Sequence, residues 1–161
     1  MPTRPIPENF HTVTPSLIVK DAAKAIDFYK KALGAQELFR MAAPGGKIGH
    51  AELKIGDSVI FISDEFPGMG VTKSPQSLGG TTGGLNIYVP NVDQVFQQAI
   101  AAGGKETMPV ADMFWGDRFG SFTDPFGHVW SVMTHVEDVK PEDIEKRAQA
   151  FYAQQAQRKT A

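Results

Sequence analysis

The two halves of this sequence repeat the same order of signals about seventy residues apart, and this repetition limits the folds open to the chain. Each half begins with an apolar strand and continues into a helix that ends at glycine. Three further extended segments separated by turns follow the helix. When the halves are aligned, Val89 falls on Val19 and Gly127 falls on Gly56. The sequence therefore predicts a duplicated strand–helix–three-strand module.

The first half is predicted to contain a helix between Asp21, a typical N-cap residue, and Gly34, which suits the left-handed position after a helix. The apolar residues at helical spacing are Ala22, Ala25, Ile26, Tyr29 and Leu33. The strands are predicted at 14–19, 39–41, 48–55 and 58–63. A single amphipathic helix is thus expected to cover one face of a small sheet.

The second half repeats this arrangement with Asn91 as the N-cap and Gly103 as the end of the helix. The inward-facing residues of this helix are predicted to be Val92, Val95, Phe96, Ala99 and Ile100. The strands are predicted at 84–89, 105–110, 118–123 and 128–134. Both halves therefore supply the elements of one module each.

The chain divides into five predicted segments: an N-terminal arm (1–11), a first module (12–64), a linker or lid loop (65–83), a second module (84–139), and a C-terminal helix and tail (140–161). Pro141 fits the first turn of the last helix. Its apolar stripe is formed by Ile144, Ala148, Phe151 and Tyr152. This stripe is expected either to pack within the chain or to contact a second copy.

Composition excludes several classes of function. Sixteen Lys and Arg against eighteen Asp and Glu give a formal charge of −2, which does not favour binding to nucleic acid. No apolar run reaches the roughly 18 residues of a membrane span, and residues 1–10 lack the apolar core of a signal peptide, so we expect a cytoplasmic protein without a membrane partner. The absence of cysteine excludes thiolate chemistry and leaves His, Asp and Glu as the metal ligands.

Three stretches resemble one known family. Ala25–Tyr29 in the first helix, Phe114–Gly120 and Asp124–His128 make the chain similar to the glyoxalase/bleomycin-resistance/dioxygenase superfamily, and above all to its PhnB-like branch. The resemblance implies an α+β fold of the vicinal-oxygen-chelate type, in which two βαβββ modules form an open curved sheet around a cavity. It also implies pairing of modules, and we expect a homodimer with a C-terminal helix on each chain.

Enzymes of this family hold a divalent metal with side chains from the first and last strands of each module. Counting from the aligned strands and turns places these positions at Thr14, Ile60, Gly84 and Ser131, none of which is a carboxylate or an imidazole. We therefore expect no metal cofactor. The alternative is a divalent metal at His50 and Glu52, which are two residues apart on one strand and so share a face.

Strand alternation then predicts which side chains line the cavity. The candidate ligand-binding residues are Thr14, Ser16, Ile60, Asn86, Tyr88, Ser131 and Met133. Trp115 is expected to stack on a flat ring and Arg118 to contact an anionic oxygen; alternatively, the aromatic residues pack in the core and Arg118 pairs with Asp117. These groups predict a flat organic ligand that is neutral or weakly anionic.

The resemblance and these residues leave three functions open. The first is a metal-free protein that binds or sequesters a small organic molecule. The second is a metal-dependent lyase, isomerase or dioxygenase with a non-standard metal site, and the third is an interaction or structural protein with a vestigial cavity. The sequence leaves open whether the protein is an enzyme, and its catalytic residues are unknown.

Overall fold

The structure, a computed structural model, describes residues 3–69 and 72–159, with only the backbone from 155 to 159. The remaining parts of the predicted arm (1–2), linker loop (70–71) and tail (160–161) lie outside the described residues. Within the described residues, no helix is both long enough and apolar enough to cross a bilayer.

The first module is a four-stranded sheet with one helix packed on it. Its elements are β1 (Ser16–Val19), α1 (Ala22–Leu33), β2 (Gln36–Ala43), β3 (Lys47–Ile55) and β4 (Ser58–Asp64). The strand order is β1-β4-β3-β2, with β1 parallel to β4 and the other pairs antiparallel. A 3₁₀ turn at Pro44–Gly46 joins β2 to β3.

The second module has the same topology. Its elements are β5 (Gly84–Tyr88), α3 (Val92–Ala101), β6 (Lys105–Asp112), β7 (Asp117–Thr123) and β8 (Val129–His135), and its strand order is β5-β8-β7-β6. A short helix, α2 (Pro75–Leu78), lies between the modules, and the C-terminal helix α4 covers Pro141–Lys159. The predicted α+β fold of two βαβββ modules followed by a helix is confirmed.

Both module helices begin at the predicted caps. The side chains of Asp21 and Asn91 accept hydrogen bonds from Lys24 N at 3.1 Å and Gln94 N at 3.0 Å. Gly34 ends α1 with φ of +65°, a conformation that glycine adopts without steric cost. The buried side of α1 differs from the one that its helical spacing predicted. Phe28 and Ala32 are buried together with four of the expected residues, whereas Leu33 is only half-buried.

Side chains of the sheets also cap the N-termini of the two module helices. In the first module the buried Asp64 carboxylate accepts hydrogen bonds from Ala22 N at 3.0 Å and Ile48 N at 2.7 Å. In the second module the Thr134 hydroxyl accepts from Val92 N at 2.9 Å and donates to Val89 O at 2.8 Å. A side chain from the last strand thus satisfies the first N–H of each helix, which would otherwise lack a partner.

The modules are joined by a buried carboxylate. Asp124, in the turn before β8, accepts hydrogen bonds from Tyr29 Oη at 2.6 Å and Trp130 Nε1 at 3.0 Å, and from Phe126 N and His128 N at 2.9 Å each. Tyr29 belongs to α1, so this carboxylate connects the first module to the second. Burial, followed by the adjacent Asp124 charge, raises the pKa of Tyr29, which therefore remains a hydrogen-bond donor.

Aromatic rings and helix contacts extend this junction. Tyr29 packs against Trp130 with ring centroids 5.3 Å apart, and Phe28 packs against Phe126 at 6.2 Å. The helices α1 and α3 also contact each other. Tyr29 and Trp130 are both fully buried, so the junction forms part of the hydrophobic core.

The C-terminal helix packs within the chain. Phe151 and Tyr152 lie 5.4 Å and 6.2 Å from the ring of Phe114, and Arg147 donates two hydrogen bonds to the Glu137 carboxylate. Of the two alternatives for the apolar stripe of this helix, the described contacts are those of intramolecular packing.

We predict that Asp124→Asn lowers the free energy of unfolding by about 3 kcal/mol, because the amide N–H groups oppose the donors of Tyr29 and Trp130 and leave a buried donor without an acceptor. Urea denaturation monitored by circular dichroism measures this change. Asp57→Asn, at an exposed turn, is the matched control and is expected to change the free energy by less than about 0.5 kcal/mol. Equal losses in the two variants would contradict the proposed role of Asp124.

Candidate functional site

Each sheet has one face turned away from its helix, and these two faces form the candidate site. Cross-strand partners point to the same side of a sheet, so the strand pairing assigns every residue to a face. The first open face is formed by Ser16, Ile18, Phe39, Met41, His50, Glu52 and Phe61. The second open face is formed by Asn86, Tyr88, Asp117, Phe119, Ser131, Met133 and His135.

The predicted residues Ser16, Asn86, Tyr88, Ser131 and Met133 lie on these open faces, although Met133 is only 6% exposed. Thr14 precedes β1 and borders a cavity on the first open face. The structure therefore distributes the predicted residues over two separate sheets.

The predicted strand face of Ile60 is wrong. Ile60 pairs with Leu53 and is 4% exposed on the helix-facing side, whereas Phe61 pairs with Glu52 and lies on the first open face. Aligning Gly127 with Gly56 relates the last strands by 71 residues, but the strand pairing relates Ser131 to Phe61, which are 70 residues apart. A difference of one residue moves a side chain to the other face of a strand.

This correction also changes one of the inferred metal positions. The metal-ligand position that the sequence places at Ile60 falls on Phe61 when the strand pairing is used, and the side chain of Phe61 cannot bind a metal. His50 Nε2 and Glu52 Oε1 are 3.4 Å apart on the same face, beside the Phe61 ring. Within residues 3–69 and 72–159, no group of three or more His, Asp or Glu side chains is arranged to hold a metal ion. The alternative site at His50 and Glu52 therefore lacks a third ligand from the described chain.

A hydrogen-bonded cluster at one end of the second open face was not predicted. The carboxylate of Asp117, which is 4% exposed, accepts from Tyr88 Oη at 2.9 Å and Trp115 Nε1 at 3.0 Å, and lies 2.8 Å from His135 Nδ1. His135 Nε2 lies 2.9 Å from a carboxylate oxygen of Asp138. Only the pairing of β5, β7 and β8 brings these side chains together.

The charged groups of this cluster stabilise one another's ionised forms. Burial alone would raise the pKa of Asp117, but hydrogen bonds from His135, Tyr88 and Trp115 hold that pKa below its usual value. The carboxylates of Asp138 and then Asp117 raise the pKa of His135. The hydrogen bond to Asp117 raises the pKa of Tyr88. The cluster therefore favours an ionised Asp117 and a protonated His135.

Arg118 does not reach the open face as expected. Its guanidinium donates two hydrogen bonds to Asp93 of α3, at 2.7 Å and 2.8 Å, and a third to Asp112 at 3.0 Å. These carboxylates raise its pKa. The alternative pairing with Asp117 is also wrong, because successive strand residues point to opposite faces. Arg118 secures α3 to the sheet.

Trp115 lies within a row of aromatic rings. Its ring is 5.9 Å from Phe119 on the second open face and 4.9 Å from Phe114, which contacts α4. Its indole N–H is bound to Asp117. Trp115 is partly buried and Trp130 is fully buried. The structure therefore shows the predicted aromatic packing and leaves part of Trp115 exposed.

Two cavities adjoin these surfaces. One, of about 640 Å³, lies between the N-terminal segment and the first open face and is bordered by Thr14, Glu52 and Phe61. The other, of about 930 Å³, lies between the β3–β4 turn and strand β5, where Asn86, Tyr88 and Ile60 contribute to its wall. Ile60 thus borders a cavity from the helix-facing side of its sheet.

Comparison with known proteins identifies relatives of this arrangement. The family model described as Glyoxalase/Bleomycin resistance protein/Dioxygenase superfamily matches residues 10–132. The protein Rv0887c of Mycobacterium tuberculosis is 43% identical over 135 residues, which cover 83% of this chain and 79% of that protein.

Solved structures show the same fold. The crystal structure of TioX from Micromonospora sp. ML1 has a TM-score of 0.61 and 26% identity, covering 78% of this chain and 99% of TioX. The PhnB protein from Bacillus cereus has a TM-score of 0.60 and 18% identity, covering 77% of this chain and 99% of that protein, and at this identity it supports the fold alone.

We predict that His135 makes the stability of the protein depend on pH. Because its folded pKa is raised above 6.5, its contribution is fully present below that value and is lost as the pH rises through the raised pKa. The advantage of the wild type over His135→Gln in free energy of unfolding should therefore be larger at pH 6 than at pH 9, as measured by urea denaturation. His11→Gln is the control, and parallel pH profiles for wild type and His135→Gln would refute the prediction.

Proposed function

Because the chain belongs to the Glyoxalase/Bleomycin resistance protein/Dioxygenase superfamily, we propose that it is a metal-free protein that binds or sequesters a small organic molecule. The observation that carries this proposal is the chemistry of the two open faces. We assign the family's metal-ligand positions to Thr14, Phe61, Gly84 and Ser131, and none of these is a carboxylate or an imidazole.

The open faces combine apolar surface with neutral hydrogen-bonding groups. Phe39, Met41 and Tyr88 are 49%, 50% and 66% exposed. Asn86 and Ser131 lie opposite each other and supply an amide and a hydroxyl. Flat organic molecules are held by such apolar walls, and a few polar groups fix their orientation. These features support a ligand site on the open faces.

We further propose that the site is completed in a homodimer. Within the described residues, each sheet is covered by a helix on one side, and large apolar side chains are exposed on the other side. An uncovered apolar face of this kind favours association. The first open face of one copy and the second open face of another would together enclose a cavity, which a single copy leaves open.

The location of Arg118 changes the expected ligand. Its three hydrogen bonds go to Asp93 and Asp112 on the helix-facing side, which removes the cation that was expected to attract an anionic ligand. The open faces instead contain the carboxylate of Glu52 and, at one end, the Asp117–His135 pair, whose charges offset each other. A neutral flat molecule therefore fits these faces better than an anionic one.

One observation favours a second candidate function. His50 and Glu52 lie side by side on the first open face, and imidazole and carboxylate are the ligands used by metal-dependent lyases, isomerases and dioxygenases. A second copy would have to supply at least one more ligand for this function. A metal content of one per chain that is lost in His50→Ala would establish this alternative in place of our proposal.

We predict that a flat, uncharged aromatic ligand quenches the fluorescence of Trp115, while the fully buried Trp130 stays silent. The measurement is a fluorescence screen of a library of uncharged planar compounds against protein purified without added metal and treated with EDTA. Trp115→Phe should lose the quench, and Asn86→Ala should bind about tenfold more weakly because one hydrogen bond to the ligand is lost.

Gln94→Ala, at an exposed position of α3, is the control for this screen and should bind as the wild type does. Binding that requires added Zn²⁺, Ni²⁺ or Mn²⁺ would reject the metal-free proposal. A ligand whose affinity is unchanged in both Asn86→Ala and Tyr88→Phe would reject the open-face site. The absence of any hit in wild type would also count against the proposed function.

We predict that the protein sediments as a dimer at micromolar concentration and that Phe39→Lys converts it to a monomer, because a buried lysine charge opposes association of the first open face. Sedimentation velocity measures the change. Leu78→Lys is the control, since Leu78 is exposed on α2 and lies on neither open face. A monomeric wild type would contradict the homodimer.

A further inference from the structure

An N-terminal strap, residues 5–14, crosses one end of the first open face. The ring of Phe10 lies 5.8 Å from that of Phe61. Asn9 accepts a hydrogen bond from Lys54 Nζ at 3.4 Å, and His11 Nε2 lies 3.2 Å from the carbonyl oxygen of Asp57. The strap is thus attached to β3, to β4 and to the turn between them.

The strap and the sheet border the open cavity of about 640 Å³ described above. The apolar part of its wall is formed by Pro5, Ile6, Pro7, Phe10 and Phe61. Thr14, at the end of the strap, supplies a hydroxyl, and Glu52 supplies a carboxylate from the sheet. The volume is within the range of small-molecule sites. Pro5, Ile6 and Pro7 of this wall lie outside the match to the family model, so part of the cavity depends on a segment that the family model does not include.

The carboxylate of Glu52 determines which ligand charge this cavity favours. Its side chain is 25% exposed, and among the described residues its only hydrogen bond is the 3.4 Å contact with His50 Nε2. Lys54 lies on the same side of β3, but its ammonium group turns to Asn9 in the strap. A carboxylate has more acceptor sites than this one contact uses, so Glu52 is able to accept hydrogen bonds from a ligand.

Aromatic rings flank the same carboxylate. Phe61 is the cross-strand partner of Glu52, and Phe10 faces Phe61 from the strap. The faces of aromatic rings attract cations, and a nearby carboxylate adds a counter-charge. An anionic ligand would instead meet the negative charge of Glu52. The combination favours a positively charged organic group over an anionic one.

We propose that this cavity binds a small organic cation, an ammonium group with an apolar substituent, between the strap and the first open face. Glu52 is the counter-ion, Phe10 and Phe61 form the aromatic walls, and the strap residues enclose the substituent. This inference rests on the proposed function, because it assigns a ligand charge and a covering segment to one of the two open faces.

The test uses the full chain and three probes of similar shape: benzylammonium, benzyl alcohol and benzoate. Isothermal titration calorimetry should show binding of the ammonium probe, with at least about tenfold weaker binding of the alcohol and of benzoate. Glu52→Gln should weaken binding of the ammonium probe roughly tenfold, and Phe10→Leu about fivefold. Glu106→Gln, which removes an exposed carboxylate of β6, is the matched control and should not change the affinity.

Proteolysis of the strap provides a second measurement of ligand binding, and it compares wild type with two variants. Binding should slow proteolysis of the N-terminal segment in wild type and in Glu106→Gln, and this protection should be lost in Glu52→Gln. Thermal unfolding of each variant checks that it remains folded. Protection that persists in a folded Glu52→Gln protein would overturn the role of Glu52.

The remaining outcomes separate this inference from the proposed function. The inference is overturned if the ammonium probe does not bind wild type or if benzoate binds equally well. In that case, a ligand from the fluorescence screen whose binding depends on Asn86 still supports the proposed function. Competition of the ammonium probe by Zn²⁺ at one ion per chain would show a metal site at Glu52 and would overturn the inference. If neither screen yields a ligand, both proposals fail.

Discussion

The buried carboxylate of Asp124 is the interaction on which the arrangement of the two modules depends. It satisfies two backbone N–H groups of its own turn and the donors of Tyr29 and Trp130, so one group closes the β7–β8 hairpin and attaches α1 to it. Such a carboxylate is stable in the core only when its acceptor sites are filled. Because the junction uses the helix-facing sides of both modules, the opposite faces of both sheets stay free for a ligand or a second copy.

The two modules share one topology, but their open faces differ in chemistry. The first open face carries His50, Glu52 and aromatic rings, and the strap covers one end of it. The second open face carries neutral hydrogen-bonding groups and, at one end, the Asp117 cluster. The duplicated modules have equivalent sheets, and different residues on the open faces give each sheet different chemistry. Under the proposed binding function, one side of a ligand meets aromatic rings with a carboxylate, and the other side meets neutral hydrogen-bonding groups.

Several elements of the candidate site could be predicted because their position follows from alternation along one strand. Asn86, Tyr88 and Ser131 fall on the second open face as expected, since β5 and β8 are regular. Ile60 was assigned to the wrong face because the loop before the last strand has two residues in the first module (56–57) and five in the second (124–128). Matching the turn glycines therefore shifts the strand by one residue, and only the strand pairing fixes the register. Arg118 was misplaced for a related reason. Its aromatic neighbours suggested a site, whereas its partners are Asp93 on α3 and Asp112, its cross-strand partner on β6, which only the folded module brings to it.

By itself the sequence determined the duplication, the helix caps at Asp21 and Asn91, the α+β class and the lack of a ligand at Thr14, Gly84 and Ser131, because these features depend on residue type and short-range spacing. Only the tertiary structure decided which faces remain free. It also brought Asp117 to His135 and the strap to Glu52, since these contacts join segments that are remote along the chain or separated by turns of uncertain length. Local preferences fix the elements, whereas long-range packing and register fix the surface that a ligand meets.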